Sequence, residues 1–261
     1  FGRTSLTSNT TGSYNVAVGM QALNAATTAV KNTAVGYDSL LSASTGEYNT
    51  ALGVDTLKSN VTGHSSVAIG ALALTSQASG GQHNVAVGYE SGKSNTTATQ
   101  NTFVGYQSAR LTTTGDLNVA IGATALYSNT TGDRSVAIGP SALFSQSGSG
   151  DKYNVAIGYN AGGAITTAVR NTFIGGFAGD ATQTSSYNVA VGSYALTQAS
   201  SGYNVAVGDY ALGSTTTGSS LAAVGQGALQ NNSTGTYNTA MGQGAGLGNT
   251  TGSSNVVFGA I

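Results

Sequence analysis

"NTTGSYNVAVG", residues 9–19, decides how this 261-residue chain is read, because the chain keeps rewriting it. It returns as "NTTGDRSVAIG" at 129–139 and as "NNSTGTYNTAMG" at 231–242. A catalytic motif needs one copy, so repetition points to architecture. The Gly that closes the pentad stands at Gly19, Gly36, Gly53, Gly70, Gly88, Gly105, Gly122, Gly139, Gly158, Gly175, Gly192, Gly208, Gly225, Gly242 and Gly259. Gly2, after Phe1, fits the tail of an earlier copy. The steps are 17 residues except for single steps of 18 (70 to 88), 19 (139 to 158) and 16 (192 to 208). A fixed period in this range marks stacked structural repeats.

Each repeat has a grammar. Four residues before the Gly stands Asn, replaced by Ser66, Ser135 and Leu221. Val or Thr follows except at Ala222, then Ala except at Phe103, Phe173 and Val257, then an apolar residue such as Val18 or Ile69. Four residues after the Gly is often Leu, as at Leu23, Leu40, Leu126 and Leu229. This pattern predicts strand, bend, short strand and turn, with the Gly allowing a tight bend or close backbone approach. Alternation along the strand sends Val16 and Val18 to one side and Asn15 and Ala17 to the other. A 17-residue unit cannot bury its own apolar face, so successive coils stack. The expected fold is all-β, a parallel β-solenoid or β-roll spanning residues 1–261 as a single rod of about 15 coils, roughly 70 Å long at ~4.8 Å per coil. The Val/Ile side is expected to fill the interior with the Leu column. The small Ala side is expected to face a partner chain, with Phe103 and Phe173 plugging gaps at an axis.

A longer rhythm overlies the coils. "TTAVKNTAVG", "TTATQNTFVG" and "TTAVRNTFIG" end at Gly36, Gly105 and Gly175, and "TSQASGGQHNVAVGYESG" at 75–92 matches "FSQSGSGDKYNVAIGYNAG" at 144–162. A four-coil block has been copied.

Composition narrows the function. Charged residues make up 7% and net charge is −1, against roughly a quarter charged in ordinary domains. Nothing neutralises a phosphate backbone, so no nucleic-acid partner is expected. There is no Cys, hence no disulfide and no thiolate metal site. No apolar run reaches the ~20 residues of a membrane span, and no membrane insertion is expected. "GYESGKS", Gly88–Ser94, is one residue short of a P-loop and lacks a following helix pattern. The acids follow pentads or sit in turns without a paired or calcium-binding spacing. His64 and His83 fall one coil apart, but a zinc site needs further ligands. No catalytic residue, metal or cofactor is assigned.

Two columns stand out. Asn15, Asn32, Asn49, Asn84, Asn101, Asn118, Asn154, Asn171, Asn188, Asn204, Asn238 and Asn255 share one position, and stacked amides can form a ladder along the coil axis. Tyr14, Tyr48, Tyr153, Tyr187, Tyr203 and Tyr237 stand one place earlier, while Tyr37, Tyr89, Tyr106 and Tyr159 follow the Gly. Such rings either shield strand edges or bind a glycan or protein surface.

The pattern "N[VT]A[VI]GxxAL…TTGxxN", with "SVAIG" at 66–70 and 135–139, resembles the head repeats of trimeric autotransporter adhesins. It is equally similar to repeats of bacteriophage tail fibres and related fibres that carry a self-cleaving C-terminal chaperone. The resemblance covers essentially the whole chain and implies a homotrimer of left-handed parallel β-rolls, intertwined or side by side. It implies an extracellular location, on a virion or a bacterial cell. The turn is longer than in the commonest adhesin repeat, and no stalk, anchor or chaperone pattern is present. The chain enters in mid-pentad at Phe1 and stops at Ile261 without a polar cap, so continuation into a longer fibre is expected. The expected function is a non-enzymatic structural or adhesive fibre segment. The alternative is a glycan- or surface-binding module that uses the Tyr and turn stripes. Ice binding finds no sustained T-x-T face, and enzyme activity finds no constellation outside the repeat.

Overall fold

A computed structural model describes residues 2–260, which are all-β without a helix. The expectations placed on Phe1 and Ile261 lie outside the described residues. The chain divides into two compact units, Phe1–Asp133 and Arg134–Ile261, and each is a parallel β-solenoid. In the first, the strands Val16–Val18, Thr33–Val35, Thr50–Leu52, Val67–Ile69, Val85–Val87, Thr102–Val104 and Val119–Ile121 pair in chain order. In the second, the order is Val136–Ile138, Val155–Ile157, Thr172–Ile174, Val189–Val191, Val205–Val207, Ala222–Val224, Thr239–Met241 and Val256–Phe258. Equivalent pentad positions face one another, as in Val16↔Thr33 and Ala17↔Ala34. The irregular steps keep this register: Val67 meets Val85, Val136 meets Val155, and Val189 meets Val205. Length differences are absorbed in the turns.

The closing Gly is imposed by its neighbour in the next coil. At Gly36, φ is +138° and an added Cβ would stand 2.3 Å from the carbonyl oxygen of Gly53. No side chain fits at that separation.

The expected short strand after the Gly is a turn instead. Its second and fourth residues adopt left-handed backbone, as in Gln21 (φ 60°) and Leu23 (φ 51°), or Asp38 (φ 51°) and Leu40 (φ 50°). β-dihedrals are lost, yet the coil-to-coil bonding persists. The Leu23 N–H donates to Ser39 O at 3.0 Å, and the Ala25 N–H to Leu41 O at 3.0 Å. These bonds satisfy backbone groups that the turn would otherwise bury unpaired.

The facing of the strand is the reverse of the expectation. Ala34, Ala51, Ala68, Ala86 and Ala120 are fully buried beside Leu23, Leu40, Leu57, Leu74 and Leu126 in the first unit. In the second, Ala137, Ala156, Ala190, Ala206 and Ala223 are buried with Leu143, Leu196 and Leu212. The flanking Val, Thr and Ile side chains point outward. The interior of a 17-residue coil is narrow, and the Leu brought in by the left-handed corner already fills it. Only a methyl group fits opposite. The Ala column therefore cannot be a chain-to-chain contact.

Phe103 and Phe173 are the exceptions that establish this volume balance, and they do not plug an axis between chains. Both are fully buried inside the coil. Where Phe103 replaces Ala, the Leu position of the preceding coil holds Gly92, whose Cβ would stand 2.7 Å from the ring. Where Phe173 replaces Ala, the flanking Leu positions hold Gly162 and Gly179, with corresponding distances of 3.0 and 2.6 Å. Packing at organic-crystal density demands this exchange of large for small.

Candidate functional site

Asn shares the inner side of the strand with Ala and is buried through most of both units. Its amide links neighbouring coils in two directions. Asn32 Oδ1 accepts the backbone N–H of Asn49 at 2.9 Å, while Asn32 Nδ2 donates to the turn carbonyl of Gly46 at 2.7 Å. Asn15, Asn49, Asn84, Asn101 and Asn118 continue the pattern in the first unit: Asn32 N donates to Asn15 Oδ1 at 2.9 Å, Asn101 N to Asn84 Oδ1 at 3.0 Å, and Asn118 N to Asn101 Oδ1 at 2.8 Å. In the second unit the N–H groups of Asn171, Asn188 and Asn204 donate to Asn154, Asn171 and Asn188 at 3.0, 2.9 and 3.1 Å. Asn255 does the same to Asn238 at 2.9 Å. The rungs are thus mainly side chain to backbone, tying strand to turn as well as coil to coil.

Two Gln residues complete the column at two of the three places where Asn is missing, a role the sequence reading did not assign. Beside Ser66, Gln77 Nε2 donates to Ser66 Oγ at 3.2 Å and its Oε1 accepts from Asn84 Nδ2 at 3.1 Å. Beside Ser135, Gln146 Nε2 donates to Ser135 Oγ at 2.9 Å and its Oε1 accepts from Asn154 Nδ2 at 2.9 Å. The signal was present in the matched blocks 75–92 and 144–162, which carry the Gln at the same offset.

The Tyr columns lie outside. Tyr14, Tyr48, Tyr153, Tyr187, Tyr203 and Tyr237 are 81, 52, 45, 40, 65 and 66% exposed. All six have left-handed backbone, which throws the ring out from the coil. Much of the ring surface is used within the column. Tyr187 and Tyr203 stack at 5.0 Å between centroids and 2° between planes. The Arg170 guanidinium lies 5.9 Å from the Tyr153 ring and 5.6 Å from the Tyr187 ring, and Arg170 Nη1 donates to the Tyr187 hydroxyl at 3.0 Å. In the column after the Gly, Tyr89 stacks on Tyr106 at 5.7 Å, and Phe177, Tyr194 and Tyr210 stack at 5.0 and 4.9 Å. Rings stacked on one another offer a ligand their edges, not their faces.

The charged residues form local clusters. In "GYESGKS", Lys93 Nζ sits 2.6 Å from Glu90 Oε1, and Arg110 Nε sits 2.6 Å from Glu90 Oε2. The P-loop-like Lys is therefore engaged in a turn. Burial alone would push the Glu90 carboxyl up, but hydrogen bonds from Lys93, Arg110 and Gln107 outweigh it and hold the group at about 2. Lys58 bridges Asp38 and Asp55 at 2.8 and 2.9 Å. Hydrogen bonds to these two carboxylates raise the Lys58 ammonium above its ordinary range. His64 and His83 meet edge to face at 5.1 Å and 89°. Among the described residues no three His, Asp or Glu side chains converge to hold a metal ion, and no helix is long and apolar enough to cross a membrane. No protein-family model, no curated protein and no solved structure matches the chain.

Proposed function

We propose that the chain is a non-enzymatic structural segment of an extracellular fibre, of the phage tail-fibre or bacterial adhesin kind, that assembles with copies of itself into a homotrimer. The observation that carries this reading is the outward apolar face of the strands. In the first unit Val16, Val18, Leu52, Ile69 and Ile121 are 36 to 49% exposed. In the second, Ile157, Ile174, Val205, Val224 and Met241 span 36 to 49%. The same outward positions recur coil after coil, so the exposed groups form a contiguous stripe in each unit rather than scattered singles. Contiguous apolar stripes of this kind mark interaction surfaces. Covering them gains about 25 cal/mol for each Å² removed from water. The partner surface expected from sequence thus moves from the Ala column to the Val/Thr/Ile columns on the other side of the strand. The Asn and Leu columns, spent on stacking coils, support a mechanical role over a chemical one.

Sedimentation equilibrium tests the reading. The chain is expected at three times its own mass, and the variant carrying both Ile69→Lys and Ile121→Lys as a monomer with unchanged far-UV circular dichroism. A parent chain that stays monomeric at micromolar concentration overturns it. The second reading, a glycan-binding module, is favoured where an exposed Tyr ring with a free face borders a recess, as at Tyr48.

A further inference from the structure

We infer that a recess beside Tyr48, in the first unit, binds a single pyranose ring of a glycan. The inference rests on the glycan-binding reading and is independent of the fibre reading.

The recess arises from one small residue in a column of large ones. The position before the strand Asn runs Tyr14, Lys31, Tyr48, Ser65 and His83 through consecutive coils, all left-handed with φ between 55 and 58°. Their side chains leave the coil in the same direction. Ser65 fills little of its share, so a gap opens between Tyr48 and His83, two strand spacings or roughly 9–10 Å apart along the column. The resulting recess measures about 380 Å³, at the lower end of the ~300–1,000 Å³ of small-molecule sites.

Its walls have a definite chemistry. Lys31 Nζ lies 4.8 Å over the Tyr48 ring and donates to the Tyr48 hydroxyl at 3.0 Å. That contact fixes the ring from the preceding coil and leaves the opposite face toward Ser65, where no second ring stacks on it. Glu47 lines the recess, and its carboxylate makes no salt bridge among the described residues. His64 and His83 form the far wall through their edge-to-face contact, with His64 Nδ1 3.3 Å from Ser65 Oγ. Hydroxyls of Thr45 and Thr62 complete the rim. A pyranose presents one C–H face and a girdle of hydroxyls that both donate and accept. An open aromatic face surrounded by a carboxylate outside any salt bridge, two imidazoles and three hydroxyls answers both. A metal ion would find too few ligands, and a purely aromatic guest would leave the carboxylate unanswered.

The chain contains only two His, and both line this recess, so every imidazole resonance reports on it. The probes are the methyl glycosides of glucose, galactose, mannose and N-acetylglucosamine, added at millimolar concentrations while the His ring C–H signals are followed by NMR. Saturable shifts of both His with at least one glycoside are expected. Ser65→Tyr fills the gap with the residue the same backbone carries at Tyr48, and removes the shift, as does Tyr48→Ala. Tyr237→Ala, at an exposed ring in the other unit, leaves it in place. No shift with any of the four glycosides, or a shift that survives both recess variants, overturns the inference. The trimer mass is read separately: its loss with the shifts intact sinks the fibre reading alone.

Discussion

Phe173 and Gly179 should behave as one packing unit. The Phe173 ring is fully buried, and both flanking Leu positions are Gly, so the column itself offers no side chain to fill the space it leaves, and Leu143 and Ile165 stand close by. Phe173→Ala is expected to cost about 3–5 kcal/mol. Gly179→Leu alone places a Cβ 2.6 Å from the ring carbons and overpacks the coil by about 1–3 kcal/mol. The backbone itself does not resist Leu there: φ is 60° at Gly179, and Leu196 and Leu212 hold the same column position at 53°. The double variant recreates the Ala190–Leu196 arrangement of the next coil. It should therefore lie well below the sum of the singles, with a favourable coupling of about 3 kcal/mol. Guanidinium unfolding of the parent and the three variants, followed by far-UV circular dichroism, measures this. Singles that add to the double within about 0.5 kcal/mol refute the claim that the two columns share one interior.

Three further outcomes follow from the same geometry. Gly105→Ala forces a Cβ to 2.5 Å from Gly122 O at φ +136°; it should destabilise by about 3 kcal/mol or more, read as a fall in the guanidinium midpoint. Asn101→Ala deprives the Asn118 N–H and the Gly115 carbonyl of their partners at 2.8 and 2.9 Å, for an expected loss of about 2–4 kcal/mol and faster hydrogen exchange at the Asn118 amide; unchanged exchange would contradict the ladder's role. Glu90 is held at about 2, below the ordinary value of 4.5, so its stabilising effect is complete above about pH 4.5 and is lost as pH falls toward 2. Glu90→Gln should be less stable than the parent at pH 7, and the difference should shrink across that window in parallel thermal melts.

The period and the register were legible because backbone contact between closing Gly residues tolerates no drift. Gly36 and Gly53 are 17 residues apart in sequence and touch in space. The inward face was not legible from alternation, which says that Ala17 and Val18 face opposite ways but not which is inside. Size favoured the Val/Ile side as the core. The decisive clue lay in two columns at once: Phe103 coincides with Gly92, and Phe173 with Gly162 and Gly179, an exchange of volume that makes sense only if both columns look into the same space. The Asn rungs could be placed but their partners could not, because turn carbonyls such as Gly46 O, 14 residues from Asn32 in the chain, come into reach only once the coil closes. The left-handed corner hid itself as well, since Leu at φ near 50° contradicts its own local preference and is held there by burial.

The indifference of the strands to coil length has a practical side. Gly80 lies in the longer turn of the 18-residue step, its φ is 114°, and the only atom near an added Cβ is Thr97 Cγ2 at 3.9 Å. Val67 still meets Val85 across that turn. A foreign peptide spliced in at Gly80 would therefore hang from an open corner while the strands on either side keep their register.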